Sequence, residues 1–244
     1  MIPDLVKVPF DTPKPVKLIK TLATLGTSNG DIILDFFAGS ATTAQSVMEL
    51  NAETHTQRKF ILVQLPEPLT NNTEANEMGL LTISDVAKER IRRAGEKIKE
   101  ENPLTTQDLD IGFRVFKVDE TNMKDVYYSA DEYDQDNLFN MVSNIKEDRT
   151  DLDLLFGCLL EWGIPISMPY TSEHIEGCTV HTYNGGDLIA CFDENVPETL
   201  IKEIARRKPL RAVFRDSSFA DSPAKINVFE IFKLLSPDTS VRVI

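Results

Sequence analysis

Residues 33–44, with the sequence ILDFFAGSATTA, constrain the fold of this chain more than any other segment. An apolar run that ends at Asp35 is typical of a buried strand, and the following TTAQSVMELNAE is typical of a helix. Gly39 lies in the connection, where a glycine lets the backbone approach a ligand closely. The N-terminus of the helix would offer free N–H groups to an anion. The segment therefore predicts a strand, a ligand-binding turn and a helix.

Two common nucleotide-binding motifs do not fit this turn. The sequence AGSATT lacks the glycines of the G-x-G-x-x-G fingerprint, and no Gly-Lys-Ser/Thr follows for a phosphate-binding loop. A merely structural turn remains an alternative when the segment is considered alone.

The surrounding pattern predicts an α/β fold. KFILVQL is a second buried strand, too apolar to face water on one side, and TISDVAKERIRRAGEKIKEE is a long amphipathic helix capped by Thr82 or Ser84. Strands near 31–37 and 59–65 should be adjacent and parallel, with the helix from about Thr42 packed across them. A further helix before them should be capped by Asp11 or Thr12 and end at Gly26.

The second half of the chain predicts a separate, smaller α/β domain. A strand, GFRVFKV, and an acidic connector that includes SADEYDQDN lead to a helix that ends at Gly163. CTVHTYNGGDLIACFD predicts a β-hairpin around residues 184–186, and helix, strand, helix and strand follow it. We therefore divide the chain into a first domain at 1–103, a strand plus acidic connector at 104–149, and a C-terminal α/β domain at 150–244.

Composition favours a folded cytoplasmic protein. The 244 residues contain no apolar run of membrane-spanning length, the N-terminus lacks the pattern of a signal peptide, and the three cysteines are widely spaced. Residues 101–161 carry 5 Lys and Arg against 15 Asp and Glu, in a chain of net charge −13. Such an acidic segment would repel a phosphate backbone, so we expect any DNA contact to lie elsewhere.

Three stretches in order carry a resemblance to a known family. DFFAGSATT resembles the D-x-F-x-G-S-G-T-T motif of amino-methylating DNA methyltransferases, and FDTPKPVKLI resembles the segment that precedes this motif in the β-ordered enzymes. RKFILVQLPE occupies the place of the second strand. Together with AKERIRRAG and LRAVFRDSSF, these stretches resemble the C-terminal part of the modification (Mod) subunit of type III restriction–modification systems. The resemblance implies a partial Rossmann-like methyltransferase sheet of parallel strands, followed by a small α/β C-terminal domain.

The resemblance also implies a cofactor, S-adenosylmethionine, and a set of residues that would bind it. Asp35 and the backbone of residues 37–39 would lie along the methionine part, Ser40 and the helix N-terminus would favour its carboxylate, and Lys14 would add a charged hydrogen bond. Gln64 stands where many relatives carry an acid for the ribose hydroxyls. Ala41 replaces the usual second glycine, which is tolerable if residue 41 is already helical. The predicted cofactor-binding residues are Thr12, Lys14, Asp35, Phe37, Ala38, Gly39, Ser40 and Gln64.

The chain carries no candidate for the catalytic motif of this family. That motif is Asp-Pro-Pro-Tyr-like and holds a flipped adenine, yet none of the 13 prolines follows another. In the β order the motif and the recognition region would precede Met1. We therefore predict part of an adenine-N6 DNA methyltransferase that binds the cofactor, is inactive alone, and contacts DNA only through those other segments.

The alternative is a non-catalytic interaction module for Mod dimerisation or for docking the restriction (Res) subunit. In either case a homodimer and a Res subunit are the expected partners. The spacing of His174, Cys178, His181 and Cys191 fits no familiar zinc site, so we predict no metal site.

Overall fold

A computed structural model describes residues 8–70, 72–124 and 144–244. The chain divides into two compact units, residues 1–115 and residues 116–244. The predicted acidic run SADEYDQDN lies outside the described residues. Within the described ranges, no helix is both long and apolar enough to cross a membrane.

The first unit contains two parallel strands and four helices among its described residues. They are α1 (Val16–Gly26), β1 (Ile32–Asp35), α2 (Thr42–Thr54), β2 (Lys59–Leu62), α3 (Thr73–Glu77) and α4 (Ile83–Glu101). The register pairs Ile32 with Lys59 and Asp35 with Leu62. The predicted parallel pairing of these strands is confirmed.

One face of the β1–β2 sheet is covered by α2 and α4. Phe60 and Leu62 pack against a cluster of buried residues from the two helices, including Met48 and Ile91. The opposite face is exposed: Ile32, Leu34 and Ile61 retain 59%, 61% and 51% of their accessible surface. The prediction that both strands are fully buried is therefore wrong within this unit.

Helix α1 begins later than predicted, at Val16, with Pro15 in the N-cap position rather than Asp11 or Thr12. Thr12 precedes Pro13 and Lys14 precedes Pro15, and a residue before proline is disfavoured in the helical region. Helix α4 begins as predicted, because the Thr82 hydroxyl accepts the backbone N–H of Asp85 while the Asp85 carboxylate accepts that of Thr82. This reciprocal arrangement is a capping box.

The second unit contains a five-stranded sheet in sequence order. Its described elements are α5 (Asp151–Glu161), β3 (Tyr170–Ile175), β4 (Cys178–Tyr183), β5 (Leu188–Cys191), α6 (Glu198–Arg206), β6 (Arg211–Phe214), a 3₁₀ turn (Asp216–Ser218), α7 (Ser222–Leu235) and β7 (Ser240–Val243). Strands β3 to β5 are antiparallel, and β5 to β7 are parallel. The hairpin around residues 184–186 and the end of α5 before Gly163 are confirmed.

Both faces of this sheet are covered. Ile189, Cys191 and Phe214 lie in a core with α6 and α7. The residues next to them along the strands lie on the opposite face of the sheet, in a second core with α5. One predicted strand is absent, and one observed strand was not predicted. Residues 112–118 form no strand, and β3 was not predicted, since its central residues are polar and exposed.

Candidate cofactor site

The connection from β1 to α2 is braced by Asp35, the last residue of β1. One carboxylate oxygen, Oδ1, accepts the backbone N–H of Phe37 at 3.3 Å. The other, Oδ2, accepts the Thr43 hydroxyl at 2.5 Å. Asp35 therefore ties the start of the turn to the first turn of α2, and Thr43 is a contributor that the motif alone did not reveal.

The turn passes through two left-handed residues. Gly39 has φ 53°, as expected of a glycine in a tight turn, and Ala41 has φ 61° in the N-cap position of α2. The condition under which alanine would be tolerable, that residue 41 is already helical, is therefore not met, because Ala41 is the N-cap residue and precedes the helix. An L-residue is strained in this conformation, which explains why the family motif has a glycine at this position. The methyl group of Ala41 is fully buried against α4.

The end of β2 is joined to this turn by two hydrogen bonds. The Gly39 N–H donates to Oε1 of Gln64 at 2.7 Å, and the Ala38 N–H donates to the Val63 carbonyl at 3.1 Å. The Gln64 side chain, 25 residues along the chain from Gly39, thus lies directly at the predicted site. Its amide is oriented by the Leu65 carbonyl, which accepts its Nε2–H at 3.1 Å.

The start of α2 offers further hydrogen-bond donors. Among the described residues, the backbone N–H groups of Ser40 and Thr42 have no acceptor. The Ser40 side chain is buried and lies near the Thr42 hydroxyl, so the backbone rather than the hydroxyl of Ser40 is available to a ligand. Free N–H groups at a helix N-terminus suit a carboxylate.

The segment before α1 runs alongside the turn. A Cβ placed on Gly39 would lie 3.6 Å from Cζ of Phe10, and the Val16 carbonyl accepts the Ser46 hydroxyl at 3.2 Å. Thr12 and Lys14 lie between these two contacts and are both exposed. The structure therefore brings the segment of Thr12 and Lys14 to the same side of the molecule as Gly39.

Exposed aromatic and polar surface borders the turn. The Phe37 side chain is 81% exposed and meets the Phe36 ring edge to face, with 5.5 Å between centroids. An open groove of about 630 Å³ is lined by residues 8–11, 68–70 and 72–74. Phe10 belongs to the groove as well as to the surroundings of Gly39, whereas Asp35 and Gln64 are outside the groove.

Beneath the turn lies an arginine that the motif comparison did not assign to the site. Arg90 of α4 is fully buried, and its guanidinium donates to Gln45 and to Ser40. The sequence signal was a charged residue on a helical face that is otherwise apolar, since Val86, Ala87 and Ile91 share that face.

The second unit brings three metal-ligating side chains together. Ligand atoms of Cys178, Cys191 and Asp193 lie within 4.8 Å of one another. Burial raises the pKa of both thiols, that of Cys191 to about 12, and so favours the neutral form that binds metals poorly. Asp193 Oδ2 already accepts the Thr179 N–H at 2.5 Å. The two cysteines also belong to the apolar core, so this group is best explained by packing.

A family model matches part of the first unit. Residues 5–73 match a family model described as DNA methylase. This match contains the turn at Gly39, Gln64 and the segment before α1.

Curated relatives extend the similarity along the chain. The Mod subunit of the type III restriction–modification enzyme StyLTI from Salmonella typhimurium is 46% identical over 108 residues, which is 44% of this chain and 16% of that protein. The EcoP15I Mod subunit from Escherichia coli is 28% identical over 243 residues, which is 96% of this chain and 35% of that protein. The EcoPI Mod subunit from Escherichia phage P1 is 38% identical over 106 residues.

The chain thus spans about a sixth to a third of the length of these relatives. The resemblance found in the sequence motifs is nevertheless confirmed. Residues 5–73 match the DNA methylase family model, and the chain is similar over most of its length to a Mod subunit of a type III restriction–modification system.

Proposed function

We propose that the turn at Gly39 binds S-adenosylmethionine, as part of a DNA methyltransferase that modifies N6 of adenine. The observation that carries this proposal is the meeting of Asp35, Gly39 and Gln64 at the carboxyl ends of two parallel strands, within the segment that matches the DNA methylase family. Ligands of open parallel sheets bind at this edge, where the strand ends meet the helix N-termini.

The residues at the turn fit such a cofactor in chemical type. The Ser40 and Thr42 N–H groups at the start of α2 suit its carboxylate, and Lys14 adds a positive charge on the segment that passes Gly39. The backbone of Phe37, Ala38 and Gly39 lies along the methionine part, with Asp35 fixing its shape. Thr12 borders the same site.

Gln64 has two roles in this proposal. In the structure its Oε1 accepts the Gly39 N–H, which holds the turn against β2. With the cofactor bound, the Gln64 amide hydrogen-bonds a ribose hydroxyl. Unlike the side chain of an acid, this amide carries no charge. We therefore expect binding to be weaker than in relatives that carry an acid there.

When bound, S-adenosylmethionine supplies an activated methyl group for transfer to an amine. Transfer to adenine also needs a group that accepts hydrogen bonds from the base and an aromatic ring that stacks on it. These belong to an Asp-Pro-Pro-Tyr-like motif, which we propose is supplied by another polypeptide segment. This chain alone should therefore bind the cofactor but transfer no methyl group to DNA above background.

The proposal is tested by calorimetry with S-adenosylmethionine on the wild type and on Gly39→Val. Valine at residue 39 would be strained at φ 53° and would point its side chain towards Phe10, so binding should be abolished. Gly30→Val is the matched control, because Gly30 also has positive φ, at 84°, but precedes β1, at the opposite end of that strand from the turn. Binding that survives Gly39→Val would place the cofactor elsewhere.

A second candidate function is a non-catalytic interaction module, favoured by the exposed apolar face of the β1–β2 sheet. In this hypothesis the face is covered in a Mod homodimer or by a Res subunit, and the cofactor turn is vestigial. The same calorimetry separates the two, because a vestigial turn binds no S-adenosylmethionine. A tritiated-methyl transfer assay on DNA tests the expected inactivity of the chain alone.

A further inference from the structure

Arg90 occupies a position that packing alone does not explain. It is fully buried in the middle of α4, on the face formed by Val86, Ala87, Ile91 and Ala94. An apolar side chain would complete that face at no electrostatic cost, whereas a buried guanidinium is strongly unfavourable unless it is well hydrogen-bonded. The position therefore requires a role that uses the hydrogen-bonding fork of arginine.

Two hydrogen bonds of Arg90 lead directly to the start of α2. Its Nε–H donates to Oε1 of Gln45 at 2.9 Å, and Nη1 donates to the Ser40 hydroxyl at 3.3 Å. Both acceptors are themselves buried, at 4% and 2% exposure. They lie on either side of the left-handed Ala41, so a single side chain holds the residue before this bend and a residue in the first turn of the helix after it.

The network continues along α2. Gln45 donates through Nε2 to Oε1 of Glu49 at 3.0 Å, which orients its own carbonyl oxygen towards Arg90. Glu49 in turn faces Lys20 of α1 at 3.5 Å. The two residues that Arg90 holds are thus positioned from more than one side, as expected of a preorganised turn.

We propose that Arg90 is a positioning residue for the cofactor turn, an inference that rests on the proposed function. By holding Ser40 and Gln45 it fixes the left-handed bend at Ala41, and it thereby keeps the backbone N–H groups at the start of α2 in place for the carboxylate of the cofactor. Arg90 itself contacts no ligand. Its effect should be largest at the amino-acid end of the cofactor, because these two hydrogen bonds hold the start of α2.

The test compares two ligands that differ at that end. S-adenosylhomocysteine keeps the amino-acid part of the cofactor, whereas methylthioadenosine keeps the adenosine and the sulfur and lacks the amino acid. Arg90→Met should weaken binding of S-adenosylhomocysteine by about tenfold and leave that of methylthioadenosine within about twofold of the wild type. Arg93→Met is the matched control, since Arg93 lies on the same helix, is partly exposed and pairs with Glu89.

A conservative variant sharpens the comparison. Lysine carries its three N–H donors on a single nitrogen, so it cannot place donors at the positions of both Nε and Nη1 of the guanidinium fork. Arg90→Lys should therefore recover part of the affinity for S-adenosylhomocysteine, and its affinity for methylthioadenosine should equal that of the wild type. If Arg90→Met does not fold, as judged by circular dichroism, the same two ligands are compared for Arg90→Lys, with Arg93→Lys as its control.

Equal losses for the two ligands would overturn the proposal, because a general loss of structure weakens both. The proposal also fails if Arg90→Met and Arg93→Met behave alike. If the wild type binds neither ligand, the proposed cofactor function fails, and amide hydrogen exchange then decides the role of Arg90. Faster exchange at residues 40–46 in the Arg90 variant alone supports it, and unchanged exchange overturns it.

Discussion

The two units bury strands of similar composition in different ways. In the second unit, β5 is apolar throughout and β6 is apolar after Arg211, and their alternate side chains enter cores on opposite faces of the sheet. In the first unit, β1 and β2 are equally apolar, but only one face is covered by helices. An apolar strand therefore predicts burial on both faces without indicating which chain supplies the cover.

The two units should therefore differ in whether their sheet depends on a partner to cover it. In the second unit, helices of the same unit cover both faces of the sheet, so the stability of this unit should depend on its own core. The first unit leaves Leu34 and Ile61 exposed on a two-stranded sheet, which has no central strand, and such a surface is typical of an interaction site. Substitutions in the second unit should therefore act mainly on stability, and those on the open face of the first mainly on association.

The largest effect is expected for Phe214→Ala in the core of the second unit. Phe214 is fully buried and meets Phe219 and Phe232, so removing its ring should lower the free energy of unfolding by about 3–5 kcal/mol. Trp162, the only tryptophan, lies in this unit and reports its denaturant unfolding by fluorescence. Phe37→Ala is the control, since Phe37 is 81% exposed and should change stability by less than about 0.5 kcal/mol. A loss below about 1 kcal/mol for Phe214→Ala would contradict a self-sufficient core.

A smaller effect on folding, but a clear one on association, is expected for Leu34→Glu. We predict that the wild type forms a dimer or larger assembly at micromolar concentration, because the open face with Leu34, Ile61 and Val63 is available to a partner. A charge at residue 34 should shift light scattering to the monomer mass and change stability by less than about 0.5 kcal/mol.

Leu104→Glu is the control for this shift, because Leu104 is 85% exposed and lies outside the β1–β2 sheet. A wild type that is already monomeric at micromolar concentration would contradict the predicted assembly. Equal dissociation by both variants would move the contact away from the sheet face.

The smallest effect concerns the two capping boxes, one in each unit. In the first, the hydrogen bond with Lys88 and then that with Thr82 lower the pKa of Asp85 to about 2. Because this pKa is depressed, the stabilising contribution is present above the unfolded-state pKa of about 3.9 and is lost as pH falls towards 2. Asp85→Asn should therefore lower stability by about 1 kcal/mol at pH 7, and its difference from wild type should shrink between pH 4 and 2.

Asp153 provides the comparison in the second unit. The backbone N–H of Thr150, and then its hydroxyl, lower the pKa of this more exposed carboxyl. Asp153→Asn should show the same pH trend with a smaller change, because among the described residues no lysine pairs with Asp153 as Lys88 does with Asp85. Trp162 fluorescence follows the second unit, whereas circular dichroism follows both units, so the part of its transition that does not coincide with the fluorescence reports the first. A pH-independent difference for Asp85→Asn would show that its charge does not matter.

Much of the fold could be predicted from local patterns, because those patterns express the forces that form each element. The parallel pairing of β1 and β2, the Thr82 cap and the hairpin at residues 184–186 were all found in this way. Strand β3 was missed because it is an edge strand with polar residues, and edge strands carry little apolar signal. The strand predicted at 112–118 failed although four of its seven residues are Phe or Val, since a strand also needs a neighbour with which to pair.

The parts of the candidate site that depend on residue type could be predicted from the sequence. The parts that depend on contacts between distant residues could not. Asp35, Gly39 and Gln64 were proposed from the motif, and the structure places them together. The left-handed conformation of Ala41 was not foreseen, because alanine gives no sign of a positive φ. Arg90 could not be linked to Ser40 from sequence, since the two are 50 residues apart and meet only through packing of α4 on α2.

The buried methyl group of Ala41 has a consequence for how this chain tolerates mutation. The group lies in one cluster with Ala44, Ala87 and Ile91, so the bend of the turn and the spacing of α2 and α4 are set together. A glycine at residue 41 would relax the bend but leave that contact empty. Substitutions at residues 41, 87 and 91 should therefore be epistatic, so that the fitness effect of one depends on the identity of the others.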